Sequence, residues 1–315
     1  MQRIRIICRD SRLSLLQAEL VKQKIEKVIP GSFVEIIGRS SRGDRELSVP
    51  LSSLDGTDFF TEEIFQALHL GEAELAVHSL KDMSAPHFFS HDAFAVVDRD
   101  DKRDVAIFNP EVVEKIKRGE PIRIGTCSPR REEMATEFLK KALPTTGEEI
   151  HIETRSIRGN VESRLQQLRK SEYDGTILAT AGLNRLLRSA TAPMIRNLLM
   201  GKKLMFLPLI ECVPAPCQGT IVVEANPDNA AMAYLLSQIN NIDLLKEAIA
   251  EKKEAYQYGT GSLQSFGVTS FTHSNGKWMV SLRATTSFLK AKGIPGQPFS
   301  FLLFDPMYPL AIQMG

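Results

Sequence analysis

RIRIICRDSRLSLLQAELVKQKIEKVIPGSFVEIIG, residues 3–38, decides the fold. RIRIIC alternates in polarity as a half-buried strand does. The next run places Leu13, Leu16, Leu20, Val21, Ile25 and Val28 on one helical stripe, with Ser11 as N-cap and Pro30-Gly31 as the stop. FVEIIG (33–38) returns to strand character. Strand, helix, strand at this spacing is a βαβ unit, which favours a parallel or mostly parallel sheet.

The pattern continues outward. DFFTEEIFQALHLG (58–71) reads as a helix with acids in its first turn, and ELAVHS (74–79) and AFAVV (93–97) read as strands. After the charged stretch DRDDKRD (98–104) the alternation restarts, with strands VAIF, IRIGT, IETRSI and TILAT and helices SPRREEMATEFLKKAL, NVESRLQQLRK and AGLNRLL. DRDDKRD reads as a first crossing between two lobes and PLIECVPAPCQG (208–219) as a second. Beyond residue 225, NAAMAYLLSQI and IDLLKEAIAEKKEAYQ read as helices, and FGVTSFTHSNGKWMVSLRATT as a hairpin turning at Asn275-Gly276. FSFLLF (299–304) is a short apolar strand in a proline-rich tail. The expected architecture is α/β: two periplasmic-binding-protein-like lobes around a cleft plus a smaller C-terminal α+β domain. The expected boundaries are 1–98 plus 200–218 for lobe 1, 99–199 for lobe 2 and 219–315 for the third domain.

Composition narrows the function classes. With 43% hydrophobic and 24% charged residues in a 315-residue chain, several cores are affordable to fold, and the net charge of +1 gives no case for nucleic acid or an acidic membrane surface. The cysteines Cys8, Cys127, Cys212 and Cys217 form no C-x-x-C pair, so neither a disulfide scaffold nor a structural zinc site is expected. The start has charges within its apolar stretch, unlike a signal peptide, and the apolar run near 199 is broken by Lys202 and Lys203. The expectation is a reduced, cytoplasmic, water-soluble protein.

Chemistry gathers at strand ends, where open α/β sheets bind ligands. Arg9 and Ser11 follow the first strand; His78, Ser79, Lys81 and Asp82 follow ELAV; Thr126, Ser128, Arg130 and Arg131 follow IRIG; Arg155 and Arg158 surround the turn after HIET. Ser128 as N-cap and Pro129 as first helical residue put both arginines of the pair in a first turn, against the helix dipole. Two readings stand level: an anion site, or solvated arginines neutralised by Glu132 and Glu133. Arg158, Arg164 and Arg185 extend the theme, whereas Arg123, Arg169 and Arg188 fit no strand end and read as surface residues. Arginine's planar fork suits carboxylates, so the functional reading is a small ligand with several of them. Asp82 is the candidate acid–base group, with a plain ion pair to Lys81 as the competing reading. His87 and His91 have metal-like spacing in HFFSH but no third ligand nearby in the sequence, so no metal is expected. GTGS (259–262) lacks the Gly-Lys-Ser/Thr ending of a phosphate loop.

AVHSLKD (76–82), IGTCSPRR (124–131), RSIRGNVESRL (155–165), YDGTILATAGLNRL (173–186) and PAPCQG (214–219), with ICRDSRLSLLQAE and SRGD (41–44), resemble the porphobilinogen deaminase (hydroxymethylbilane synthase) family in consistent order. The resemblance implies a monomeric three-domain enzyme of tetrapyrrole synthesis. It condenses four porphobilinogens head to tail, releases ammonia at each step and finally frees hydroxymethylbilane. It assigns Asp82 to the carboxylate that stabilises the azafulvene cation and handles the pyrrole proton. Arg9, Ser11, Arg130, Arg131, Arg158, Arg164 and Arg185 fall on positions that hold acetate and propionate groups, and Ser79, Lys81, Ser128 and Gln218 on supporting positions. It also implies a dipyrromethane cofactor tethered by a thioether to a loop cysteine of the third domain. Here Ser262, in YGTGSLQSFG (258–267), stands at that position, and a hydroxyl is a far weaker nucleophile than a thiolate. Cys217 is the substitute tether considered first. DGTDFF (55–60) replaces a lysine-bearing segment of the family, and the family's C-terminal helix is not evident. The alternative to a working deaminase is a weak or inactive relative that binds porphobilinogen or another polycarboxylate pyrrole.

Overall fold

The computed structural model describes residues 3–41, 61–144, 147, 149–258, 265–272, 278–284, 299–305 and 308–314. The segments 42–44 and 55–60 and the loop holding Ser262 lie outside these.

The chain opens as expected, with β1 (Arg3–Arg9), α1 (Arg12–Val28) and β2 (Phe33–Arg39). Ser11 caps α1 by accepting from Ser14 N. Gln17, Ala18, Val21 and Ile25 form its buried face, and Val28 at the expected end of the stripe is exposed. Next come α2 (Glu62–His69), β3 (Leu75–Ser79), a 3-10 turn (Leu80–Asp82), α3 (Ala85–Phe88) and β4 (Phe94–Arg99). After the first crossing follow β5 (Asp104–Phe108), α4 (Val112–Lys117), β6 (Ile122–Gly125), a π-turn (Arg131–Ala135) leading into α5 (Thr136–Ala142), and β7 (Ile152–Arg155). Then come α6 (Val161–Arg169), β8 (Gly175–Ala179), α7 (Thr180–Leu187), α8 (Ala192–Leu199) and β9 (Lys203–Phe206). The remainder holds β10 (Thr220–Ala225), α9 (Ala230–Ile239), α10 (Ile242–Tyr258), β11 (Phe266–Thr272), β12 (Trp278–Ala284), β13 (Phe299–Asp305) and β14 (Tyr308–Met314).

Two compact units result: residues 1–100 with 216–262, and 101–215 with 263–315. The first is built on a sheet of order β2-β1-β3-β10-β4, in which β1 is parallel to β2 and β3 while β10 runs antiparallel to β3 and β4. Alternation along β1 covers both faces: Ile4, Ile6 and Cys8 pack with Val21 and Ile25 of α1, and Ile7 packs with Ile64 and Leu68 of α2. The second sheet, β7-β6-β8-β5-β9, repeats the scheme: a parallel trio centred on β6, then β5 antiparallel to β8 and β9 antiparallel to β5. The two halves share an α/β architecture without an evident repeat in sequence.

The expected boundaries need correction. β9, placed with lobe 1, bonds to β5 in the second sheet. β10, placed in the third domain, lies inside the first sheet, every residue buried. α9 also falls within the expected third domain, but its Met232, Leu235, Leu236 and Ile239 complete the core around β1 and β3. β11 to β14 form an antiparallel sheet, and the expected hairpin is present as β11 and β12; its turn lies outside the described residues. β11 docks on the second crossing: Val268 N donates to Pro214 O at 3.0 Å, and a Cβ at Gly267 would stand 2.2 Å from Val213 O. Among the described residues no helix is long and apolar enough to cross a membrane.

Candidate functional site

In the first unit, candidate residues cluster at the carboxyl ends of β1 and β3. Arg9 is half-buried there, and Ser11 is spent as the cap of α1. Ser79 Oγ accepts from Gln17 Nε2 at 2.9 Å, which ties the end of β3 to α1. Lys81 and Asp82 sit half-buried on the 3-10 turn. Leu80 and Met83, 0% and 1% exposed, pin that turn from beneath, and Lys252 Nζ donates to Met83 O. Asp82 therefore projects from a backbone fixed on both sides. Gln218 is fully buried at the start of the return into β10.

Cys217, the substitute tether considered first, is buried beside it. Its side chain is 0% exposed, packed with Leu80, Val222 and Ala248, and Sγ lies 3.6 Å from Ala248 O. A pyrrole on that sulfur would need the core opened. The sequence identifies a thiol in a matched motif but does not show which way it faces. Its backbone adopts φ 60°, the left-handed region, and its N–H donates to Glu251 Oε2 at 2.6 Å.

In the second unit the cations converge. Ser128 Oγ lies 3.5 Å from Arg131 N at the start of the helical segment. Asp104, 1% exposed at the start of β5, carries both arginines: Arg130 Nη2 on Oδ2 at 2.9 Å and Arg131 Nη2 on Oδ1 at 2.8 Å. Arg130 Nη1 also donates to Val213 O, so both its terminal nitrogens are held by the protein. Arg130 is a buttress; the solvated-pair reading fails for both residues, which are 3% and 8% exposed. Arg131 Nη1 donates to Ile177 O, while its buried Nε has no hydrogen-bond partner among the described residues. Asn160 caps α6 by accepting from Ser163 N, and Arg164 Nε donates to Gly159 O. Burial pulls the Arg164 pKa down to about 10, and the charges of Arg131 and Arg158 add to it, against an opposing pull from Cys127. Arg185 lies on α7 beyond β8. Cys127 is half-exposed at the end of β6, with Sγ 2.9 Å from Ile157 O and 3.1 Å from Ser156 Oγ. Arg123 instead pairs with Asp174, as a surface role predicts.

A cluster the sequence discounts also forms. His87 and His91 do find a third polar partner, Glu224 of β10, with His78 of β3 beside it. The i,i+4 spacing was visible; the partner is more than 130 residues away and has no local signature.

Residues 4–234 match the family model described as "Porphobilinogen deaminase, dipyromethane cofactor binding domain". The chain belongs to the porphobilinogen deaminase family. Relatives named porphobilinogen deaminase include that of Chromobacterium violaceum, 35% identical over 84% of this chain and 78% of the relative. That of Trichlorobacter lovleyi is 34% identical over 80% of this chain and 73% of the relative. A probable porphobilinogen deaminase of Saccharolobus islandicus is 34% identical over 84% and 81%. The family's cofactor is thus dipyrromethane. The second unit suits such a group: mutually repelling guanidiniums and the orphaned Arg131 Nε call for carboxylates.

Proposed function

We propose that this chain is a porphobilinogen deaminase, a transferase that builds hydroxymethylbilane from four porphobilinogens in heme biosynthesis. The observation that carries the reading is the cationic cluster of Arg131, Arg158 and Arg164, set in a chain whose family is defined by binding a polycarboxylate pyrrole. The dipyrromethane, when bound, supplies the pyrrole carbon from which the product grows. Arg131, Arg158, Arg164, Arg185 and Arg9 hold acetate and propionate groups by charge-assisted hydrogen bonds. Ser11, Ser79, Ser128, Lys81 and Gln218 support that binding, and Arg130 fixes Arg131 through their shared Asp104.

Asp82 does the proton work. As porphobilinogen loses ammonia, a cation develops on its methylene carbon, and a carboxylate fixed nearby lowers the barrier electrostatically. After the new carbon–carbon bond forms, Asp82 accepts the displaced pyrrole proton. The enzyme works as a cytoplasmic monomer on this small-molecule substrate, with no nucleic-acid or membrane partner; its net charge of +1 supplies no long-range attraction to either polyanion.

The test is to incubate purified protein with porphobilinogen, measure bilane formation, and record intact mass. Turnover with a mass gain of two porphobilinogens less two ammonias supports the proposal. Absence of both turnover and ligand-dependent thermal stabilisation overturns it.

A further inference from the structure

We propose that His87, His91 and Glu224 form a binding site for a divalent transition metal, best matched by zinc. Glu224 Oε1 lies 2.8 Å from His87 Nε2 and 3.1 Å from His91 Nε2, and Oε2 lies 3.3 Å from His78 Nε2. Zinc bonds of about 2.0–2.1 Å place tetrahedral ligand atoms roughly 3.3 Å apart, and the ligand atoms of His87, His91 and Glu224 all lie within 4.8 Å of one another, close enough to draw in on one shared ion. The side chains of His78 and Glu224 are 2% and 1% exposed, and those of His87 and His91 are 18% and 14% exposed. Imidazole and carboxylate donors with no thiolate fit zinc, and magnesium and calcium, which take oxygen ligands, fit poorly.

The alternative is a hydrogen-bonded knot without a metal. The placement of the donors resists it. The ligand atoms of His87, His91 and Glu224 lie as close together as a shared ion requires, while His78 Nε2 pairs with the other carboxylate oxygen, Glu224 Oε2, at 3.3 Å and holds that carboxylate in position. Ala93 N donates to His91 Nδ1 at 3.2 Å, which leaves the His91 proton on Nε2 in the metal-free state. Metal binding moves that proton to Nδ1 and breaks this one bond. Stacking of His87 on Phe65, at 3.7 Å between ring centroids, and of His91 on Phe94, at 4.3 Å, keeps both rings in place.

The site has a consequence for catalysis, which rests on the function proposed above. Its ligand His87 follows the turn that carries Asp82, His78 before that turn pairs with Glu224, and Glu224 ties both to β10. The metal is structural, a staple across the base of the catalytic turn.

Chelator-treated full-length protein titrated with Zn²⁺ is expected to bind one equivalent, with no comparable binding of Mg²⁺. Co²⁺ is expected to give the visible absorption of a four-coordinate nitrogen–oxygen site. His87→Asn and His91→Asn should each weaken Zn²⁺ binding at least tenfold, while His151→Asn leaves it unchanged. X-ray absorption on the zinc-loaded wild type should show at least two imidazoles, and needs no variant to fold. Lack of stoichiometric Zn²⁺ binding overturns the proposal, as does binding unaffected by both variants or an absorption spectrum without imidazole scattering. Metal binding is read without porphobilinogen, so its failure is separable from failure of the deaminase reading.

Discussion

Asp104 holds Arg130 on one carboxylate oxygen and Arg131 on the other, at 2.9 and 2.8 Å, inside the second unit's core. Two guanidiniums share one buried negative charge, so the pair carries a positive charge that a ligand carboxylate can neutralise. Asp104→Asn leaves both cations uncompensated. Breaking a buried pair from one side costs about 3–5 kcal/mol, so denaturant unfolding should show a loss of that order.

Arg164 sits among like charges, so losing its charge should cost the fold little and the ligand much. Arg164→Gln is expected to change the melting temperature slightly. Loss of one charge-assisted hydrogen bond, about 1.5–3 kcal/mol, corresponds to a fall of roughly 10- to 150-fold in kcat/KM for porphobilinogen.

Asp82 is half-buried on a turn that the buried Leu80 and Met83 hold in place. Asp82→Asn should melt like wild type and lose about 10²- to 10⁴-fold in kcat. Retained turnover would remove Asp82 from the proton-transfer role.

The thiols should separate by reactivity. Cys8, Cys212 and Cys217 are 0%, 1% and 0% exposed, and burial, with Asp10 nearby, pushes the Cys8 thiol up to about 12. Cys127 alone of the four has an exposed flank. Native protein should titrate one thiol quickly with a disulfide reagent and the rest only on unfolding, and Cys127→Ser should abolish the fast phase.

Acid should weaken the second unit through Asp174. Burial alone would raise this carboxyl, but hydrogen bonds from Arg123 and Lys115 outweigh it and hold the pKa below the usual range. A depressed folded-state pKa means the stabilisation is present above the ordinary carboxylate value and is lost as pH falls through the folded one. The gap in melting temperature between wild type and Asp174→Asn should therefore be widest near neutrality and shrink at strongly acid pH.

Much of this was legible where the signal is local. The βαβ opening, the Ser11 and Asn160 caps and the strand-end arginines follow from periodicity and capping chemistry within a few residues. What was hidden depends on distant chain returning. TIVVEA (220–225) reads as a strand anywhere; only the sheet shows it inserted antiparallel between β3 and β4. Arg130 looks like a ligand-binding arginine until Asp104, 26 residues earlier, takes its fork. Cys217 and Glu224 were hidden for the same reason: burial and facing are tertiary properties.

Gly267 lets β11 approach the Val213–Pro214 backbone so closely that even a methyl group would collide with the Val213 carbonyl. Main chain touches main chain there, so the register of that contact does not drift when neighbouring side chains change. The start of β11 is thereby keyed to the second crossing by its backbone alone, a lock that substitution at any side chain other than Gly267 leaves intact.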